Sequence, residues 1–264
     1  MQDRNLSRVP GLPGPDSQFA TIGGPAIQAI PLRGGDGEAH QLLSASDRRD
    51  LAMIASIRHI DAGAQLFEAG ARAQAIFNIV SGVAKVSEDL ADGRQATVAF
   101  FFVNDLLGMF ESDHYIYTGT AVTPLTVYCL PVDALERLLL REPSLQMHFL
   151  CKLSHELRAS QRQAIALRRY SAMQKMALFL DFMALHPEMQ VDATGLMKIP
   201  MSRADIADYI GLTTESVSRA LHRLCNEGIV ELVTSHQFRI HDRARLDRLV
   251  GGDGAVSLFR QKGG

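Results

Sequence analysis

Apolar and polar residues alternate along this chain with periods that change from one stretch to the next. From about Ser44 to Ile57 the pattern predicts a short amphipathic helix, with Ser46 as its cap before Arg48, Arg49 and Asp50. Glycines then recur at Gly63, Gly70, Gly82, Gly93 and Gly108. Between and beyond them lie short strand-like runs at Gln65–Phe67, Ala75–Val80, Gly82–Ser87, Gln95–Phe102 and Gly119–Leu130. Within one run Ile76, Asn78 and Val80 alternate with Phe77, Ile79 and Ser81, giving one mixed and one mainly apolar face. Asp92-Gly93 is a hairpin-turn signal. Short strands with turn signals at regular spacing predict an antiparallel barrel or roll.

After Pro131 the period becomes helical. One helix is predicted from Pro131 to about Leu140, and Glu142-Pro143 breaks it. A longer one runs from Ser144 to about Arg168. Its small or apolar positions, Leu150, Leu153, Leu157, Ser160, Ala164 and Leu167, are spaced 3, 4, 3, 4 and 3. That spacing makes an a/d seam, flanked by Lys152, Glu156, Arg158 and Arg162. An ordinary core helix would also show apolar positions. The length of the pattern and its polar neighbours favour a seam between two copies. A further amphipathic helix spans Ala172 to His186 and stops at Pro187, and a strand is predicted near Met197–Ile199.

The densest local signals lie between Ile199 and Leu224. Ser202 followed by Asp205 resembles a capping box. Ile206, Ala207 and Ile210 form an apolar face, Gly211 suits a left-handed turn, and Thr213 caps a second helix. Val217, Leu221 and Leu224 recur at spacings of 4 and 3 and bury one side of that helix. Its other side carries Thr214, Glu215, Ser218, Arg219, His222 and Arg223. Two helices at a tight turn, the second with a polar outer face, predict a helix-turn-helix that enters the major groove of double-stranded DNA. Arg219 suits a bidentate contact to guanine, and Glu215 can accept from a cytosine amino group. Arg203, Thr213, Ser216, Ser218 and Arg223 suit phosphates or supporting contacts. An ordinary helical hairpin would not need the cap, the glycine and the buried spacing to coincide. Ile229–Leu232 and Gln237–Ile240 then predict a two-stranded wing.

Composition adds limits. With 264 residues the chain has room for about two domains. A net charge of -2, from 27 basic and 29 acidic residues, excludes a uniformly basic coat for nucleic acid. The three cysteines, Cys129, Cys151 and Cys225, are too few for a disulfide framework and lack the paired spacing of a zinc site. The longest apolar run, Val98–Val103, is far short of the roughly 20 residues that cross a bilayer. No signal peptide is evident, so we expect a cytoplasmic protein that does not enter the membrane. Five of the ten prolines lie at or before Pro31, beside Gly23-Gly24 and Gly34-Gly35. We expect residues 1–38 to be a disordered arm, with a partner-binding tail as the alternative. The Gly-rich end, 251–264, reads as a flexible tail.

The Gly-punctuated roll, the long seam helix and the winged motif together resemble the CRP/FNR family of bacterial transcription regulators, from about Ile57 to Leu249. Gly63-x-x-Leu66-Phe67-x-x-Gly70 and Ile79-Val80-Ser81-Gly82-Val83 are similar to the family's sensory roll. Glu215-Ser216-Val217-Ser218-Arg219 is similar to the recognition helices of the FNR/FixK-like branch. The resemblance implies that Glu, Ser and Arg of this segment read a TTGA half-site in an inverted repeat. The cyclic-AMP receptor branch instead has Gly at the position of Ser218 and Arg at that of Thr214. It implies a homodimer and, for an activator, contact with RNA polymerase.

The resemblance also raises three cofactors. The cyclic-nucleotide branch holds its phosphate with an Arg–Ser/Thr pair, and a buried phosphate without a cation is costly. Here no Lys or Arg occurs from Gln95 to Glu136, so we expect no cyclic AMP in the family's usual way. The oxygen-sensing branch holds an iron–sulfur cluster on four thiolates, three of them near the N-terminus. No cysteine here precedes Cys129, which matches the fourth, so no cluster is expected within one subunit. Haem stays open through His114. Cys225 follows the recognition helix and reads either as a redox-active thiol beside DNA or as a small packed residue.

We therefore expect an α+β chain with five parts. These are an arm (1–38), a β-roll sensory domain (39–142), a dimerisation helix (143–169), a winged helix-turn-helix domain (170–250) and a tail (251–264). The expected function is sequence-specific, homodimeric regulation of transcription, as an activator. The competing reading is a ligand-gated sensory module, with haem or another small effector in the roll, acting through protein partners. No enzyme is expected, because the sequence offers no Ser-His-Asp order, no paired metal-ligand motif and no phosphate-cradling Gly loop near a Lys.

Overall fold

The computed structural model describes residues 31–32, 40–41, 45–192 and 194–250. The expected arm and tail lie outside these residues, save for β1 (Pro31–Leu32), which pairs antiparallel with β2 (His40–Gln41). Helix α1 (Ala45–Ile54) contains Ser46 within its span rather than at its cap, and ends three residues before the predicted Ile57. Ser56–Ile60 is instead strand β3, paired with the later strand Leu125–Pro131 from Ser56↔Cys129 to Ile60↔Leu125. Stiff Ile57 and Ile60 suit a strand, and the long-range partner decides the matter.

The roll continues through β4 (Gln65–Phe67), β5 (Ala75–Ser81), β6 (Ala84–Asp89), β7 (Gln95–Phe101), β8 (Leu106–Leu107), β9 (Phe110–Glu111), β10 (His114–Tyr115), β11 (Thr118–Ala121) and β12 (Leu125–Pro131). One sheet has the order β4-β11-β6-β7 and the other β3-β12-β5-β8, all antiparallel, while β9 and β10 form a small hairpin. The single strand predicted over Gly119–Leu130 is split in two. Val122 and Thr123 turn their N–H groups to the Val83 carbonyl at 2.8 and 3.2 Å. Pro124 has no N–H to offer, so the chain leaves one ladder here and joins the other.

Between the sheets lie Phe67, Phe77, Ile79, Val86, Leu107, Leu125 and Val127. The second sheet is covered outside as well. Ile76, Tyr128 and Leu130 pack against Leu51 of α1, Leu135 and Leu138 of α2 (Val132–Arg141), and Leu145 and Phe149 of α3 (Pro143–Arg169). This explains the two dissimilar faces read from β5: both are buried, one inside the roll and one under helices.

Helix α3 is 27 residues long and opens with Pro143 in its first turn, where a missing N–H costs nothing. Helix α4 (Ala172–Ala184) starts from a full capping box: Ser171 Oγ accepts from the Gln174 N–H, and Gln174 Oε1 accepts from the Ser171 N–H. It stops two residues before the predicted His186, at a short turn over Pro187–Met189. There follow β13 (Leu196–Lys198), α5 (Arg203–Ile210), α6 (Thr214–Asn226), β14 (Val230–Thr234), β15 (Gln237–Ile240) and α7 (Arg243–Leu249). The wing is a three-stranded sheet of order β13-β15-β14. One continuous core joins these elements to the first sheet of the roll: Val83, Phe100 and Phe102 pack with Phe179, Met183, Ile206 and Leu224.

Candidate nucleic-acid interface

Helix α5 begins at Ser202, whose Oγ accepts from the Asp205 N–H at 3.1 Å. The acidic half of the expected box is used elsewhere. The Asp205 carboxylate accepts from Ser202 Oγ at 2.6 Å, from Thr97 Oγ1 at 2.9 Å and from Lys85. Burial raises its pKa, but these hydrogen bonds and the Lys85 charge outweigh that and hold it below the ordinary carboxylate value. Gly211 ends the helix at φ 62°, ψ 52°, the left-handed conformation expected of it. Thr213 then caps α6, accepting from the Ser216 N–H at 3.1 Å.

Val217, Ala220, Leu221 and Leu224 bury one face of α6. The opposite face exposes Thr213, Thr214, Glu215, Arg219, His222 and Arg223, with Ser216 and Ser218 half-buried at its margin. Ser218 Oγ donates to the Thr214 carbonyl at 3.1 Å, and the Arg219 guanidinium lies 3.2 Å from Glu215. This pair is too exposed to matter much for stability. It does bring the two base-reading candidates together, one turn apart at the N-terminal half of the helix. Arg223 is turned the other way, 3.2 Å from Glu227.

Arg203 stands apart from this group. It is half-buried, and its Nη2 donates to the Ser235 carbonyl at 3.0 Å. It ties the start of α5 to the tip of the wing rather than reaching out for a phosphate. Burial lowers its pKa, yet a guanidinium remains charged. The same wing tip is held by Ile199, whose N–H donates to the His236 carbonyl at 2.7 Å. Cys225 is half-buried against the helix-turn-helix core.

The seam of α3 lies open. Leu150, Leu153 and Leu157 are 57%, 43% and 61% exposed, and Ser160 and Ala164 are exposed too. Met147, one turn before Leu150 and not among the predicted positions, extends the apolar stripe. Leu167 departs from it: it is half-buried beside Gly211, at the junction of α3 with α5.

Inside the roll, the reading of charge along the sequence missed Arg58. It lies on β3, of which the predicted helix covers only Ser56 and Ile57. Its guanidinium carbon sits 6.0 Å from the Phe77 ring centroid. Phe67 stacks on Phe77 and on Tyr115, with centroids 5.6 and 4.4 Å apart. The Tyr115 hydroxyl donates to the Ala75 carbonyl at 2.8 Å. Cys129 is buried, and that burial pushes its thiol pKa up. His114 is exposed, with Nδ1 2.7 Å from the Ser112 carbonyl. Among the described residues, no helix is long and apolar enough to cross a membrane.

Comparison with known proteins agrees with this architecture. Residues 57–142 match the cyclic nucleotide-binding domain, and residues 174–249 match the Crp-like helix-turn-helix domain. A probable transcriptional activator of Rhizobium leguminosarum bv. viciae is 29% identical over 234 residues, which is 89% of this chain and 97% of that protein. The nitrogen fixation regulation protein FixK of Bradyrhizobium diazoefficiens is 28% identical over 78% of this chain and 87% of its own. The solved structure of FixK2 from Bradyrhizobium japonicum superposes with a TM-score of 0.68, at 28% identity, over 74% of this chain and 97% of that one.

Proposed function

Because this chain belongs to the CRP/FNR family of transcription regulators, we propose that it binds a TTGA-type inverted repeat as a homodimer and activates transcription there through RNA polymerase. The observation that carries the reading is the N-terminal half of α6, where Glu215, Ser218 and Arg219 share one accessible side and Glu215 orients Arg219. A helix so placed meets base edges with its first turns. The exposed stripe on α3 supports a two-fold pairing of copies, which would set two recognition helices about one turn of DNA apart. The names of the relatives, activators among them, support activation over repression. Such a protein works where the DNA is, in the cytoplasm.

We read the roll as holding no cyclic nucleotide in the family's usual way. The Phe67–Phe77–Tyr115 stack occupies its interior, and the segment Gln95–Glu136 supplies no cation for a phosphate. Calorimetry with cyclic AMP should show no tight, saturable heat. The DNA reading is tested by selecting bound DNA from a random pool. An inverted TTGA repeat is the expected product. Recovery of an unrelated motif, or of none, would overturn the assignment.

A further inference from the structure

A groove of about 340 Å³ lies between the end of α3, helix α4 and the end of α5. Its walls include Ala166 and Leu167 of α3, Leu178 and Phe182 of α4, and Tyr209 and Ile210 of α5. The Phe182 and Tyr209 rings stack across it, with centroids 6.4 Å apart. Leu167, Phe182 and Tyr209 are only half-buried, so aromatic and aliphatic surface faces water here. A contiguous apolar surface of this kind is normally covered by something. The groove also has a cation. Lys175 lies in its lining, and its Nζ donates to the Gly211 carbonyl at 3.3 Å. A Cβ at Gly211 would stand 3.3 Å from Leu167 Cδ2 and 3.9 Å from Lys175 Nζ, so these two residues close on the turn from opposite helices.

The described chain stops beside this groove. The Tyr170 hydroxyl donates to the Val250 carbonyl at 3.2 Å, and Gln174 Nε2 donates to the Leu249 carbonyl at 3.2 Å. Tyr170 lies one turn beyond Ala166 and Leu167, and Gln174 lies next to Lys175 and one turn before Leu178. The residues that follow Val250 divide into two parts. Gly251-Gly252-Asp253-Gly254 has no apolar side chain and can reach about 13 Å when extended. Ala255-Val256-Ser257-Leu258-Phe259 is apolar at every position but one. A solvated linker has no use for a β-branched residue, a leucine and an aromatic in one short run.

We propose that Ala255–Phe259 folds back into the groove of its own chain, with Leu258 and Phe259 against Leu167, Phe182 and Tyr209, and Asp253 passing the Lys175 ammonium. The chain leaves Val250 at the groove, the glycine-rich spacer is long enough to enter it, and the acid in the spacer matches the cation in the lining. A short flexible tether also gives the segment an effective concentration in the millimolar range, so a modest affinity keeps the groove filled. The segment thereby shields an aromatic surface that would otherwise invite association. None of this depends on the DNA-binding reading above.

The chain contains no tryptophan, so Phe259→Trp places a single indole in this segment. The full-length variant is compared with a free peptide of residues 251–264 that carries the same substitution. In the protein the indole emission should be blue-shifted and its quenching by acrylamide several-fold weaker than in the peptide. Both should be independent of protein concentration, because the contact is within one chain. Adding Leu167→Arg, which puts a charge into the groove, should return the indole to the behaviour of the free peptide. Should that variant fail to fold, Lys175→Glu on a half-exposed residue takes its place. It should raise the open fraction by about two- to fivefold, the size of a surface ion pair, and adding Asp253→Lys should restore the shielding. An indole as accessible in the protein as in the peptide would overturn the proposal. Shielding that is lost on dilution would place the segment in a second copy and refute the fold-back. Shielding that survives both Leu167→Arg and Lys175→Glu would put the segment elsewhere and refute the groove.

Discussion

Leu157 allows the dimer to be tested quantitatively. Its side chain is 61% exposed on α3, in line with Leu150 and Leu153. Burying a whole leucine side chain is worth about 1.5–3 kcal/mol, so covering the exposed part is worth about 1–2 kcal/mol. In a two-fold pairing each residue appears twice. Leu157→Ala forfeits most of that gain in both copies, about 2–4 kcal/mol, which weakens dimerisation by roughly 30- to 700-fold. The fold of each copy should hardly change, since an exposed site of this kind shifts stability by about 0.5 kcal/mol at most. Sedimentation equilibrium over a range of concentrations measures the first quantity, and chemical denaturation of the monomer checks the second. Met53→Ala is the control. It is 81% exposed but lies on α1, away from the stripe, and should leave association unchanged. A parent that stays monomeric at every concentration would refute the seam. So would a Leu157→Ala dimer that dissociates as the parent does.

Three further outcomes follow from the geometry. Arg219→Ala should cost about 1–3 kcal/mol of specific binding and relax selectivity at one guanine, measured by competition gel shift; parent-like affinity would sink its role. Gly119→Ala would set a new Cβ 2.4 Å from Phe67 Cζ, against the aromatic stack. It should lower stability by about 1–3 kcal/mol in a denaturant titration. The Asp205 carboxyl has a folded pKa below its ordinary value, so its contribution is complete above the unfolded pKa of about 3.9 and is lost as pH falls through the folded one. Stability of the parent should therefore drop on acidification below about pH 4 by more than that of Asp205→Asn, with the difference between the two flat near neutral pH.

The helix-turn-helix was legible in the sequence because its instructions are local. Ser202, Gly211 and Thr213 act within a few residues of themselves, and Val217, Leu221 and Leu224 repeat within one helix. The exposed apolar stripe of Leu150, Leu153 and Leu157 on α3 was legible for the same reason, whereas Leu167 leaves it for the junction with α5. The capping box of α4 was equally local, Ser171 followed three residues later by Gln174, and could have been read the same way. Strand β3 could not. Its partner β12 lies about seventy residues onward, and an Ile-Arg-His-Ile run after a helix carries no sign of that partner. Arg58 was lost with the strand, and with it the cation that faces Phe77.

The near-neutral charge of the chain acquires a meaning only once the acids are placed. Asp205 and Asp208 belong to the DNA-binding unit by sequence, yet both bond to Thr97 of the roll. Of the two, Asp205 also pairs with Lys85, so its charge is partly offset where it holds α5. On α6 itself Arg219 and Arg223 remain, each beside a glutamate, Glu215 and Glu227. Such a helix gains little from phosphates in general, because few free cations mean little counterion release. Glu215 goes further: beside a phosphate-lined groove it is repelled unless a base offers it an amino donor. On the proposed reading, an acid at that edge would penalise every wrong sequence, and discrimination would come from that penalty as much as from a guanine contact by Arg219.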